Sequence, residues 1–219
     1  MAAEIRQQPE ILERILTSDL RGISKFKALI ERKKPRLVVF AARGSSDNAA
    51  QFGRYLIEIT TGIPVSLAAP SIHTVYQARV NYKDALVVGL SQSGESTDVN
   101  IVLEQARKSG AITAAITNEA RSTISKAADH LFPLHAGREK SVAATKTYTA
   151  QQMVLYLLAW ALGAKIRMED LRKIPDFAAS ALTLESEVSA MAGRYRFMRH
   201  RSKHGGLPYN SIFVLQYAT

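Results

Sequence analysis

Between residues 9 and 32, apolar side chains recur at helical spacing: Ile11, Leu12, Ile15, Leu16, Leu20, Ile23, Phe26 and Leu29. The spacing predicts an amphipathic helical lead-in, broken at Gly22. Residues 36–42, RLVVFAA, are a short apolar and β-branched run closed by Gly44, and residues 47–61 return to a helical pattern. Four more short apolar runs follow, at 63–69, 85–90, 111–117 and 130–134, with helix-like stretches at 97–109 and 122–128 among them. Strands that are apolar on both faces and alternate with amphipathic helices predict an α/β fold, a three-layer αβα sandwich around a central parallel sheet. Ligands of such sheets bind beyond the carboxyl ends of the strands, so chemistry is sought in the loops there.

A long helix is predicted over 145–162, with Gly163 as its stop. A further helical stretch covers about 168–198, interrupted near Pro175, and is expected to expose an apolar stripe of Leu171, Ile174, Phe177 and Leu182. After Met198 the sequence RHRSKHGGLPYNSIFVLQYAT loses both periods except for a short run at 211–217. The pattern divides the chain into a helical lead-in (1–35), an α/β domain (36–165), a helical linker (166–198) and a tail (199–219).

Composition narrows the picture. A hydrophobic share of 47% and a charged share of 22% suit a folded protein rather than a disordered one. The absence of cysteine excludes disulfides, thiolate metal sites and a cysteine nucleophile. The opening residues MAAEIRQQPE lack the apolar core of a secretory signal, and the apolar stretch 153–162 is too short to span a bilayer, so a cytoplasmic protein is expected. Of the net charge of +10, half sits in residues 194–204 as Arg194, Arg196, Arg199, Arg201 and Lys203. The rest suits an anionic small molecule at least as well as a polynucleotide, and a nucleic-acid arm at 194–204 is disfavoured because the segment lacks folded support.

Three polar loops stand at predicted strand ends. Arg43-Gly44-Ser45-Ser46 lies between a strand and a helix. Its glycine permits close backbone approach, and its hydroxyls and free N–H groups can hold a phosphate, although serine before a helix is by itself an ordinary cap. The second loop, Ser91-Gln92-Ser93-Gly94-Glu95-Ser96-Thr97, packs four hydroxyls around one glycine, more than a cap requires. Neither matches the Gly-Lys-Ser/Thr phosphate loop or the G-x-G-x-x-G fingerprint, which disfavours a nucleotide and favours a phosphorylated small molecule. The third, residues 137–146, offers the small residues Val142, Ala143 and Ala144 to a sugar, with Glu139 and Lys146 either ligands or solvated charges. His73, His135, His200 and His204 have no ligand spacing, and no metal site is expected.

Gly44-Ser45-Ser46, the string LSQSGES from Leu90 to Ser96, and Glu139 followed by VAATK (142–146) resemble, in order and spacing, the SIS (sugar isomerase) domain. The likeness covers about residues 11–162 and is to the first of the paired SIS domains in the isomerase module of glucosamine-6-phosphate synthases and related deaminases. It implies a flavodoxin-like sheet and binding of a hexose or hexosamine 6-phosphate. The phosphate would be held by Ser46, Ser91, Ser93 and Ser96, with Gly44, Ser45 and Gln92 close by. Val142 and Ala143 would meet the sugar hydroxyls. No cofactor is implied, and a homodimer is implied for the full-length form. The sequence departs from the synthase pattern at Ser45 and Ser96, where threonine is usual, and at Ala144, where serine is usual; these exchanges resemble the shorter, deaminase-like members.

In such proteins the proton-shuttling glutamate, the ring-opening histidine and the amine-handling lysine come from the second SIS domain and the C-terminal tail. Catalytic residues are therefore unassigned here. The tail 199–219 matches no strand of a second domain and reads as a frameshift product or a truncated frame. The function expected from the likeness is aldose–ketose isomerisation coupled to gain or loss of an amino group at C2, in amino sugar metabolism. The alternative is a sugar-phosphate sensor without catalysis, although residues 1–35 are too short to supply the helix-turn-helix domain of the regulators that use this fold.

Overall fold

A computed structural model describes residues 1–141 and 143–194, which fall in two compact units divided between Pro175 and Asp176. Its strands are β1 (Leu37–Ala42), β2 (Val65–Leu67), β3 (Ala85–Leu90), β4 (Ile112–Thr117) and β5 (His130–Pro133). Its helices are α1 (Ala2–Ile5), α2 (Gln8–Ser18), α3 (Leu20–Lys33), α4 (Ser45–Thr61), α5 (Ser71–Thr74), α6 (Thr97–Lys108), α7 (Thr123–Ala127), α8 (Lys146–Ala161), α9 (Met168–Leu171), α10 (Ile174–Leu182) and α11 (Glu185–Arg194).

In the first unit the five strands form one all-parallel sheet in the order β2-β1-β3-β4-β5. All residues of β3, at its centre, are buried, as expected of a strand covered on both faces. Side chains alternate between the faces. Val39, Ala41, Val87 and Ala115 pack with Val99, Val102 and Leu103 of α6 and Ile124 of α7. On the opposite face Phe40 and Leu155 close over Gly53 of α4. α8 is apolar around most of its circumference, with Met153, Val154, Leu155, Leu157 and Leu158 all buried. It has to be enclosed, and it packs against α4 on one side and against α2 and α3 on others. The arrangement is the expected αβα sandwich.

Two sequence expectations are corrected, and the interruption expected near Pro175 is joined by a second. Gly22 lies inside α3, and the lead-in breaks instead at Asp19, whose carboxylate accepts a hydrogen bond from His135 Nε2 at 3.1 Å. The helical stretch from residue 168 breaks between α9 and α10 and again before α11. Pro175 sits in the first turn of α10, where its missing N–H has no partner to lose. The expected exposed stripe is not a unit. Leu171 is 2% exposed whereas Phe177 is 64% exposed, and Ile174 and Leu182 are intermediate. Among the described residues of the second unit, the large exposed apolar side chains are Phe177, Leu184, Val188 and Met191. Val142, most of the basic stretch 194–204, His200, His204 and the tail lie outside the described residues.

Candidate functional site

In the order β2-β1-β3-β4-β5 the chain runs outward in opposite directions from the boundary between β1 and β3, which leaves a crevice at their carboxyl ends. The first two polar loops follow these two strands, and each leads into a helix, α4 or α6. Both helix N-termini therefore face one crevice with the positive end of their dipoles.

A cavity of about 210 Å³ occupies this position. Ser45 and Ser46 come to it from the start of α4, and Ser91, Gln92, Ser93 and Ser96 from the loop after β3. The third loop and α8 add Ala144, Thr147 and Gln151, and Arg43 stands at the rim. Gly44 is the N-cap residue of α4 beside this lining, while Ala143 is partly exposed and Ala144 is the alanine that lines the cavity. Arg43, Thr147 and Gln151 were not singled out from sequence. Thr147 and Gln151 sit on the inner face of an apolar helix with nothing in the local pattern to mark them, whereas Arg43, adjoining a Gly-Ser-Ser turn, carried a readable signal.

The serines are not spent on capping. Gly44 has no side chain to cap α4, and Ser96 at the N-cap of α6 makes no side-chain capping bond. Ser46, buried, accepts a hydrogen bond from Gln151 Nε2 at 2.9 Å, which leaves its own proton to be given away. Ser91, also buried, accepts from the Gly94 N–H at 3.1 Å and donates to Ser96 Oγ at 3.3 Å, which turns the Ser96 proton outward in the same way. Ser93 is exposed and accepts the Glu95 N–H at 3.4 Å.

Three carboxylates near these loops are engaged elsewhere. Glu95 accepts the hydroxyl and N–H of Thr123 at 2.6 and 3.0 Å, and these bonds hold its carboxyl below the usual range. Glu139 accepts the N–H and hydroxyl of Thr145 at 2.8 and 2.6 Å, together with the Thr147 hydroxyl, and so caps the start of α8. Asp98 accepts both Nε and Nη2 of Arg43 on one oxygen, at 3.0 and 2.7 Å, which lowers its carboxyl pKa. Lys146, read from sequence as ligand or solvated charge, is buried and donates to Gln7 Oε1 at 2.9 Å. His73 is a buried core histidine: its Nδ1–H donates to Gln105 Oε1 at 2.8 Å and its Nε2 accepts the Tyr82 hydroxyl at 2.8 Å.

The lining thus holds one cation, several hydroxyl and amide donors, and no carboxylate or imidazole among the described residues. Such donors can receive an anion. A larger depression of about 280 Å³ lies at the opposite ends of the strands, beside Lys33, Asp84, Asp129 and His130. It lacks converging hydroxyls, and Asp129 there is already bonded to Thr113 at 2.8 Å. No group of three His, Cys, Asp or Glu side chains with metal-binding geometry occurs among the described residues, and no described helix is long and apolar enough to cross a membrane.

Residues 30–161 match the SIS domain family, and the chain belongs to it. Its relatives include the glutamine–fructose-6-phosphate aminotransferase (isomerizing) of Symbiobacterium thermophilum, 35% identical over 209 residues, with 88% of this chain and 34% of the relative covered. The aminotransferase of the same name from Aquifex aeolicus is 34% identical over 201 residues, covering 89% of this chain and 33% of its own length. The chain therefore spans about a third of the length of these curated relatives. Among solved structures, a phosphosugar isomerase (so described provisionally) from Silicibacter pomeroyi superposes with a TM-score of 0.81 at 32% identity, over 89% of this chain and 60% of that one. The C-terminal domain of glucosamine-fructose-6-phosphate aminotransferase from Francisella tularensis gives 0.75 at 26% identity, over 88% and 58%.

Proposed function

We propose that this chain binds a hexose or hexosamine 6-phosphate, with the phosphate seated between the N-termini of α4 and α6, as the phosphosugar-binding part of an amino-sugar-phosphate isomerase, aminotransferase or deaminase of the cytoplasm. The observation that carries this reading is the convergence of Ser45, Ser46, Ser91, Ser93 and Ser96 on one cavity with hydroxyls not used as caps. A nest of hydroxyl donors between two helix dipoles, with one guanidinium at its rim, suits a dianion that must be held and then released. The kinship to aminotransferases that act on fructose 6-phosphate supports the substrate class. The absence of a carboxylate or imidazole from the described lining favours a binding role for this chain, which also keeps the sensor reading in play.

Calorimetric titration with glucose 6-phosphate, fructose 6-phosphate and glucosamine 6-phosphate, beside unphosphorylated glucose, tests the reading. Saturable binding of the phosphorylated sugars alone is expected, and no binding of any of them would overturn it. Ser91→Ala and Ser93→Ala should each weaken binding by about 1–2 kcal/mol, with Ser91 the costlier because its loss also strands the buried Gly94 N–H. Unchanged affinity in the double variant would reduce both serines to loop structure.

Arg43 gives a prediction of the opposite sign. Its guanidinium is the charge at the cavity rim, and Asp98 competes for it. Asp98→Asn should free Arg43 and tighten hexose-phosphate binding by about threefold, with a steeper dependence on salt. Arg43→Ala should weaken it by about tenfold. Weaker binding by Asp98→Asn would mean that the ion pair itself shapes the site.

A further inference from the structure

The phosphate end of the cavity is built from the loops after β1 and β3, but its other end depends on the connection from β5 into α8. That connection supplies Ala144, and α8 supplies Thr147 and Gln151. Within it, Glu139 folds the loop onto the start of α8 through Thr145 and Thr147. This fixes the shape of the loop and not its place on the domain.

Asn118 holds the near end of the connection, donating to the Gly137 carbonyl at 2.7 Å and accepting the Ala136 N–H at 2.9 Å, and the first seven residues place its far end. Glu4, only 8% exposed, accepts the Lys140 N–H at 2.5 Å and the Ser141 hydroxyl. Three residues on, Gln7 Oε1 accepts the ammonium of Lys146, which is itself only 4% exposed. Ala144 lies between these anchors, and Thr147 directly follows the second. Further along the lead-in, Arg14 donates to the His135 carbonyl at 2.9 Å and Asp19 receives His135 Nε2, so the start of the same connection is held by α2 and the α2–α3 joint. The carboxyl of Glu4 is lowered to about 2, first by the Lys140 N–H and then by the Ser141 hydroxyl, so it is ionised wherever a sugar phosphate would be. Burying a carboxylate and an ammonium is a poor means of stabilising a fold, because desolvation offsets most of the gain. Charge-assisted bonds are directional, however, and they fix a loop closely.

We infer that Glu4 and Gln7 are positioning residues: the amino-terminal turn is a strap that sets Ala144 and Thr147 against the sugar end of the ligand and leaves the phosphate end to the serine loops. This rests on the phosphosugar reading above. It makes the two ends separable, because a ligand without a sugar has nothing to gain from the strap.

The test uses the 219-residue protein with glucose 6-phosphate and inorganic phosphate as separate calorimetric probes, and hydrogen exchange over residues 137–147. Glu4→Ala should weaken glucose 6-phosphate about tenfold while inorganic phosphate changes by less than about twofold, and exchange in 137–147 should accelerate. Gln7→Ala, which leaves the Lys146 ammonium without this acceptor, should act in the same direction. Glu4→Gln keeps one acceptor oxygen of the same shape and should restore part of the affinity, which guards against misreading a variant that fails to fold. Equal losses for both probes, or unchanged glucose 6-phosphate affinity with unchanged exchange, would overturn the strap. Wild-type protein that binds neither probe would overturn the phosphosugar reading and the ligand half of this inference with it, while exchange in the Glu4 variants would still decide whether the strap holds the loop.

Discussion

Gly94→Ala should abolish sugar-phosphate binding and lower the thermal midpoint by about 10 °C, the scale of a loss of about 3–5 kcal/mol in a domain of this size. Gly94 has φ +70°, where an L side chain is already strained. A Cβ there would also stand 2.4 Å from Ser122 Cβ, 2.0 Å from its Oγ and 3.0 Å from Ile124 Cγ2. The hydroxyl can rotate away, but Ser122 Cβ moves only with the backbone that begins α7. That backbone is tied to the same loop: Ile124 N–H donates to the Gly94 carbonyl at 2.9 Å, and Thr123 is bonded to Glu95. Relieving the clash therefore pulls apart bonds that hold Ser91, Ser93 and Ser96 in one arc. Gly110→Ala provides the contrast. Its φ is +85° but nothing lies within 4 Å of the added atom, so only the conformational penalty of about 1–2 kcal/mol should appear. Differential scanning calorimetry of the two variants, with a sugar-phosphate titration of each, checks the pair; equal midpoints would show that α7 yields without cost.

The contrast between Gly94 and the rest of the site indicates what the sequence made legible. The strands were readable because burial on both faces removes polar positions, and the five apolar runs correspond to β1–β5. The order of strands in the sheet was not readable from that pattern, and the crevice depends on that order. The Ser-Gly string after β3 was legible because it holds more hydroxyls than a cap needs. Gln151 was not, since its partner Ser46 is 105 residues away and a lone amide in an apolar helix carries no local mark. Glu95 and Glu139 show the reverse difficulty: a carboxylate in a polar loop looks the same in sequence whether it will meet a ligand or cap a helix, and both turned out to bond threonines. Glu4 was invisible for the same reason of distance, its loop partners lying 136 and 137 residues on.

The 219-residue chain should bind a hexose 6-phosphate without interconverting aldose and ketose or releasing ammonia from glucosamine 6-phosphate. Moving a proton between C1 and C2 needs a base within about 3 Å of the carbon acid, with a pKa near the working pH. The described cavity presents serine and threonine hydroxyls, two amides and Arg43, none of which can take that proton at neutral pH. Three nearby carboxylates cannot substitute without breaking their present bonds: Asp98 is committed to Arg43, Glu95 to Thr123 and Glu139 to Thr145 and Thr147. Groups that grip the phosphate hold the ground state and the transition state alike, so they add affinity without accelerating the chemical step. A positioned acid or base alone is worth about 10²–10⁴-fold, and its absence should lower turnover by at least that factor. Coupled assays for fructose 6-phosphate formation and for ammonia, run beside a buffer blank, measure this directly. Turnover well above buffer would place a base in residues 1–219 that the described lining does not contain, and turnover that survives Arg43→Ala and Ser91→Ala would move the reaction out of this cavity altogether.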